Sequence, residues 1–183
     1  MLVIRKATRD DVPAILALVK ELAVYEREPH AVIATEADFL RDGFGETPAF
    51  EVLVAAQQRE ADRLTDAAAA VSGFALYFFS YSTWVGRKCL YLEDLFVQPA
   101  HRGKGAGIAL MKALAREAIA KECRRFVWQV LDWNEPAIAF YERLGAQVQR
   151  EWLHVRLEGD ALRALAAGPS ESRLRAVPGG DRC

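Results

Sequence analysis

Three cysteines among 183 residues are too few and too widely spaced to build a disulfide framework or a zinc site. Cys89, Cys123 and Cys183 form no C-x-x-C pair, and the three histidines are equally scattered. No apolar run reaches the roughly 18 residues that a bilayer span requires. Charged residues appear already at Arg5 and Lys6, so the first residues contain no apolar core of a signal peptide. We therefore expect a cytoplasmic protein without a structural metal.

The chain also lacks an excess of charge of either sign. The sum of Lys and Arg is 24 and that of Asp and Glu is 25, a net charge of −1. This balance argues against nucleic acid or an anionic membrane as a partner. The hydrophobic content of 52% is enough for a sizeable core and excludes disorder over most of the chain. The length predicts one domain, which we place at residues 1–167, followed by a Gly/Pro/Ser/Arg-rich tail at 168–183 that we expect to be mobile.

Hydrophobic periodicity and turn signals predict ten elements in the order β-α-α-β-β-β-α-β-α-β. The predicted helices begin at the caps Thr8 and Thr35 and cover 108–121 and 135–144. The predicted strands lie within 1–8, 50–55, 71–79, 90–97, 126–131 and 152–157, and an exposed hairpin loop is expected at 57–63. This order fits one mixed α/β sheet covered by helices.

A glycine-rich loop follows the strand predicted over 90–97 and precedes a predicted helix. Gly103, Gly105 and Gly107 occupy alternate positions. Arg102 precedes the first of them, and Lys104 lies between the first two. Glycines let a ligand approach the backbone, and the free N–H groups at the start of a helix attract anions. The loop therefore predicts a pyrophosphate site; the plain alternative is a flexible loop that merely precedes a helix.

Two common phosphate-binding patterns are missing from this loop. The P-loop sequence G-x-x-x-x-G-K-[ST] is absent, which argues against hydrolysis of a nucleoside triphosphate. The dinucleotide-binding pattern G-x-G-x-x-G/A requires Gly or Ala at its last position, but counted from Gly103 that position is Ile108. The loop therefore does not match a dinucleotide-binding site.

The segment 102–107 resembles the acyl-CoA loop R/Q-x-x-G-x-G/A of the GNAT N-acetyltransferases. The chain is most similar to their diamine (spermidine/spermine and thialysine) branch, and further similar segments follow in family order at 20–26, 42–46, 81–84, 91–94, 131–136 and 140–146. The resemblance implies a GNAT fold, α/β with a mixed, mostly antiparallel central sheet flanked by helices. It also implies acetyl-CoA as co-substrate without a metal, direct attack by an amine in a ternary complex, and a homodimer.

The resemblance implies two catalytic residues. Tyr141 is expected to be the acid next to the thioester sulfur, and of the aromatic pair we expect Phe140 to be the residue that packs into the core. Glu93 is expected to be the base, working through water, with Asp94 holding the cationic amine. Both carboxylates interrupt an apolar strand, where strict alternation would send them to opposite faces. The alternative for Glu93 is an ion pair with Arg87 or Lys88.

Acetyl-CoA is expected to pair with the strand backbone at Leu95 and Val97, where one N–H would polarise the thioester carbonyl. Asn134 is expected to bind the pantetheine arm, and Arg143 to reach a phosphate. The complete predicted donor site comprises Leu95, Phe96, Val97, Arg102, Gly103, Lys104, Gly105, Ala106, Gly107, Ile108, Asn134, Glu135, Pro136, Ala137 and Arg143.

A pocket for the amine is implied by acidic and aromatic residues, since both attract cations. Its predicted members are Tyr25, Glu26, Trp84, Glu93, Asp94, Trp128 and Trp152. Alternatively, residues 25–26 are a solvated helix end and Trp84 anchors a loop. Ser82 stands where spermidine-acting members carry an acid, and the stretch 145–152 retains only Glu151 of an acidic pair. We therefore expect a short diamine or an amino-acid side chain rather than a long polyamine.

Two other functions remain open at this stage. The chain could acetylate a protein amine or an aminoglycoside, or it could be a non-catalytic domain that binds acyl-CoA. A nicotinamide-dependent enzyme is a more distant alternative.

Overall fold

The computed structural model describes residues 1–57 and 70–168. The chain divides into two compact units, Met1–Leu131 and Asp132–Cys183. The expected mobile tail at 168–183, apart from Gly168 itself, and most of the expected hairpin loop at 57–63 lie outside the described residues. The assignment of 1–167 to one domain stays a prediction.

The first unit contains a five-stranded sheet with the order β1-β2-β3-β4-β5. The strands are β1 (Leu2–Lys6), β2 (Glu51–Gln57), β3 (Ala70–Ser82), β4 (Arg87–Val97) and β5 (Arg125–Trp128). Strands β1 to β4 pair antiparallel with their neighbours, and β5 pairs parallel with β4. This confirms the predicted mixed, mostly antiparallel sheet.

Three helices of the first unit connect these strands: α1 (Val12–Tyr25), α2 (Glu36–Phe44) and α3 (Ala106–Ala120). A short 3-10 turn at Arg9–Asp11 precedes α1, and the predicted capping box joins Thr8 to Asp11. A second capping box joins Thr35 to Asp38 at the start of α2, as predicted. Each box satisfies N–H groups that a helix start would otherwise leave unpaired.

The core of this unit lies between α1, α2 and one face of the sheet. Its fully buried members include Val12 and Ile15 of α1 and Val54 and Phe74 of the strands. The i, i+3, i+4, i+7 spacing in α1 directs its apolar residues toward the sheet. Among the described residues, no helix is long and apolar enough to cross a membrane.

The second unit contains α4 (Glu135–Arg143) and α5 (Gly159–Ala166). The predicted strand at 152–157 is wrong, because the structure assigns no strand to these residues. Leu153 is 86% and Val155 is 88% exposed. Alternating apolar residues predict which face a strand would bury, whereas forming the strand also requires a neighbouring edge for its hydrogen bonds. Helix α5 was not predicted.

Candidate functional site

Strand β4 has an open backbone edge near its carboxyl end. It pairs with β3 as far as Val97 but with β5 only from Cys89 to Leu92. The Gln98 N–H donates to the Ser72 carbonyl at 2.9 Å. Because hydrogen-bonded and non-hydrogen-bonded pairs alternate along antiparallel strands, the N–H and C=O groups of Leu95 and Val97 point away from β3. An extended ligand can therefore add to this edge as a strand would.

A β-bulge lies where this open edge begins. Leu76 of β3 faces Asp94, whereas the next residue, Tyr77, faces Leu92, so Glu93 is the extra residue. The bulge interrupts the strict alternation on which the expected opposite orientation of the two carboxylates depended. Periodicity in the sequence gave no signal of a bulge, and the opposite orientation of the two carboxylates stays a prediction.

Three carboxylates form what we call the carboxylate cluster: Glu26, Glu93 and Asp94. Burial, together with the negative charges of Glu93 and Glu26, raises the pKa of Asp94 to about 7. Burial also raises the pKa of Glu26, which follows the last residue of α1. The charges of Glu26 and Glu93 therefore both act on the carboxyl group of Asp94.

No cation from the described residues neutralises the carboxylate cluster. The ion pairs of residues 1–57 and 70–168 involve other carboxylates, and the alternative pairing of Glu93 with Arg87 or Lys88 does not occur. Burying part of a carboxylate without a partner is costly. Such a site favours a ligand that brings its own positive charge.

The glycine loop has the conformation that an anion site requires. Gly103 and Gly105 have φ of 72° and 87°, a region that L-residues other than glycine rarely adopt. Gly105 caps α3, and the first helical bond of α3 joins the Ala109 N–H to the Gly105 carbonyl at 3.0 Å. The N–H groups of the first turn (Ala106, Gly107 and Ile108) precede that bond and can face a phosphate. The Lys104 Nζ donates to the Ala100 carbonyl at 2.9 Å.

Arg102 reaches back toward β4 and α1. Its Nε donates to the Val97 carbonyl at 2.9 Å. Its guanidinium carbon lies 4.9 Å from the centre of the Tyr25 ring and 5.5 Å from that of Phe96. Phe96 itself packs in the core, and its N–H and C=O groups face β3 rather than the open edge. Its expected part in the donor site stays a prediction.

A cavity of about 350 Å³ opens beside these rings. Its lining residues come from α1, from the end of β4 and from the β4–α3 connection: Glu21, Val24, Tyr25, Phe96, Pro99 and Arg102. Glu21 was not predicted as part of the site. Helical spacing carried a signal for it, since Glu21 stands four residues before Tyr25 and so shares its face of α1.

The aromatic residues predicted for the amine pocket lie in different places. Trp84 sits in the β3–β4 turn and is 80% exposed. Glu93 stands six positions along β4 from Arg87, the residue at that end of the strand, which is a distance of roughly 20 Å at about 3.3 Å per residue. Trp128 ends β5, with its ring 4.8 Å from that of Phe126. A role for either tryptophan in binding an amine stays a prediction.

The second unit holds the other predicted residues. Asn134 caps α4, accepting a hydrogen bond from the Ala137 N–H at 3.4 Å, and Arg143 ends that helix. Glu135 and Pro136 are exposed in its first turn, and Trp152 is exposed as well.

Tyr141 is buried, with 8% exposure, and Phe140 is the more exposed of the pair. The expectation that Phe140 packs in its place is therefore wrong. Helix α4 turns by about 100° per residue, so only one of two adjacent rings can face inward. The catalytic roles of Tyr141 and Glu93 stay predictions.

One family model covers the part of the chain that contains the open β4 edge, the glycine loop and the start of α3. The model of the acetyltransferase (GNAT) family covers residues 16–146. The chain belongs to the GNAT acetyltransferase family. Its fold and its predicted resemblance are thereby confirmed, and the chain is an acetyltransferase. GNAT acetyltransferases use acetyl-CoA as co-substrate, which the anion-binding loop and the open strand edge fit.

The chain is also similar to individual proteins of known sequence or structure. The chain is 42% identical over 170 residues to the thialysine N-epsilon-acetyltransferase of Mus musculus, covering 89% of this chain and 96% of the relative. It is 34% identical over 199 residues to an L-ornithine N5-acetyltransferase of Arabidopsis thaliana, covering 88% and 86%. Among solved structures, an integron cassette protein from the mobile metagenome of V. cholerae is 31% identical with a TM-score of 0.71, covering 90% of this GNAT chain and 97% of that one.

Proposed function

We propose that the protein transfers an acetyl group from acetyl-CoA to a primary amine of a small molecule, a short diamine or a thialysine-like amino acid. The carboxylate cluster beside the open edge of β4 carries this proposal. It supplies negative charge without an internal counter-ion, next to the backbone groups that suit an acyl-CoA.

The charge of the substrate sets the chemical problem. An alkyl ammonium with a pKa near 10.4 is about 3.4 units above neutral pH, so its reactive free-base form costs about 4.6 kcal/mol at roughly 1.36 kcal/mol per unit. A site that binds the ammonium form must therefore also accept its proton. Carboxylates do both, since they attract the cation and can act as a base.

The donor side supplies polarisation and positioning. The N–H groups of Leu95 and Val97 point to the open edge, where one of them can donate to the carbonyl of the acetyl group. The glycine loop and Lys104 hold the phosphates. Asn134 and Arg143 contribute to binding the donor and Tyr141 returns a proton to sulfur, roles that rest on the family resemblance.

The names of the relatives support an amino-acid or short amine substrate. One acts on thialysine and another on L-ornithine, and both molecules carry a side-chain amine. Ser82 lacks the charge that would anchor a further ammonium of a long polyamine. We therefore place spermidine below thialysine and short diamines as a substrate.

The test is release of the CoA thiol from acetyl-CoA in the presence of thialysine, L-ornithine, lysine, putrescine, spermidine or an aminoglycoside. Turnover with one of the first four, with spermidine slower, supports the proposal. Turnover with the aminoglycoside alone would move the substrate class to antibiotics. Binding of acetyl-CoA without turnover of any amine would favour a protein substrate or a non-catalytic domain.

A homodimer and a cytoplasmic location are further proposals, resting on the family resemblance and on composition. Light scattering behind a sizing column tests the first, and a mass of 20.4 kDa in solution would contradict it.

A further inference from the structure

We propose that Asp94, rather than Glu93, is the catalytic residue that takes the proton from the amine, an inference that rests on the proposed function. Position along the strand is the first argument. Asp94 directly precedes Leu95, whose N–H points to the open edge of β4. The side chain of Asp94 is therefore anchored one peptide bond from a group that can polarise the acetyl carbonyl. Glu93, the extra residue of the bulge, is one residue further away.

Burial is the second argument. Asp94 is partly buried, whereas Glu93 is exposed. A carboxylate removed from water and left without a cation holds a proton more tightly, which makes it the better acceptor at neutral pH.

The charges around Asp94 act in the same direction. Glu93 on its own strand and Glu26 from α1 are the charged groups that raise the pKa of Asp94, after burial, to about 7. Leu76, which faces Asp94 across β3, is uncharged. No Arg, Lys or His among residues 1–57 and 70–168 pairs with it. Glu93 and Glu26 thus serve as positioning residues that tune Asp94 and attract the ammonium.

One N–H bond of the ammonium breaks and an O–H bond forms on Asp94, leaving the electron pair on nitrogen. That pair attacks the carbonyl carbon of the acetyl group. The C–S bond then breaks, and its electron pair stays on sulfur. The second ammonium proton leaves the new amide and ends on the thiol, while Asp94 returns the first to water.

The experiment is the pH dependence of kcat/KM for the best amine of the panel, in the wild type and in Asp94→Asn, with Glu93→Gln as the matched control. In the wild type we expect kcat/KM to rise with pH through an apparent pKa of about 7. Asp94→Asn should lose this limb and at least about 100-fold of kcat/KM at neutral pH. Glu93→Gln should keep the limb and move it to lower pH, because one like charge is gone.

A conservative variant separates chemistry from folding. Asp94→Glu should recover part of the rate and the rising limb, and thermal unfolding of all variants should show folded protein. A limb near neutral pH that survives in Asp94→Asn but disappears in Glu93→Gln would overturn the assignment and make Glu93 the base. If the wild type turned over no amine at all, the proposed function would fail and the assignment with it.

Discussion

Substitution of Gly105 tests the donor site, because it should have two separate effects. Its left-handed backbone predicts a loss of stability, and its place in the glycine loop predicts a loss of CoA affinity. It caps α3 with φ of 87°, and a Cβ built there meets nothing within 4 Å. Gly105→Ala therefore causes no clash, and its cost is the left-handed backbone alone, about 1–2 kcal/mol. At about 2–4 °C per kcal/mol for a chain of this size, the midpoint of thermal unfolding should fall by roughly 2–8 °C.

The matched control is Gly86→Ala in the β3–β4 turn. Gly86 has φ of 62° and is equally free of neighbours, so the stability loss should be similar. Only Gly105→Ala relaxes the loop at the start of α3, and it should raise the Kd for CoA about tenfold, or about 1.4 kcal/mol. Calorimetric titration with CoA measures this. Equal CoA affinity in the two variants would refute the glycine loop as the phosphate site.

Two other substitutions test separate parts of the molecule. Tyr141→Phe should lower kcat at least about tenfold while nearly preserving CoA affinity, because it keeps the ring and removes the proton donor. An unchanged kcat in the thiol-release assay would remove Tyr141 from the mechanism. Arg5→Met should destabilise the fold at pH 7 by about 1–3 kcal/mol, because it leaves buried Asp11 without the guanidinium that donates to it at 2.6 and 2.8 Å. Burial raises the pKa of Asp11, but hydrogen bonds from Arg5 and Thr8 outweigh it and lower the pKa overall. The stabilisation is present above the unfolded pKa of about 3.9 and is lost as pH falls through the lower folded value. Urea unfolding should therefore show the two proteins converging below about pH 4, and a gap independent of pH would contradict the ion pair as the cause.

Local signals in the sequence predicted most of the fold. The caps at Thr8 and Thr35 mark the approach to α1 and the start of α2, and alternating or continuous apolar runs placed β1 to β5 within a few residues. These features depend on neighbours along the chain. The strand expected at 152–157 depended on a partner edge elsewhere, which periodicity does not report.

The site was only partly predictable for a similar physical reason. The glycine loop is a local pattern, and the structure gives it the left-handed backbone that glycine permits. The grouping of Glu26 with Glu93 and Asp94 depends on how α1 packs on the sheet, and the bulge at Glu93 depends on the pairing of β3 with β4. Neither can be read from spacing alone.

The central claim is that the carboxylate cluster binds the ammonium group of the substrate. The most direct measurement is the KM for the amine and for acetyl-CoA in Glu26→Gln, with Glu28→Gln as a neutralised neighbour outside the cluster. We predict that Glu26→Gln raises the KM for the amine about tenfold, or about 1.4 kcal/mol, and leaves the KM for acetyl-CoA nearly unchanged. Glu28→Gln should change neither value. An unchanged KM for the amine in Glu26→Gln, or an equal rise in both variants, would contradict the account.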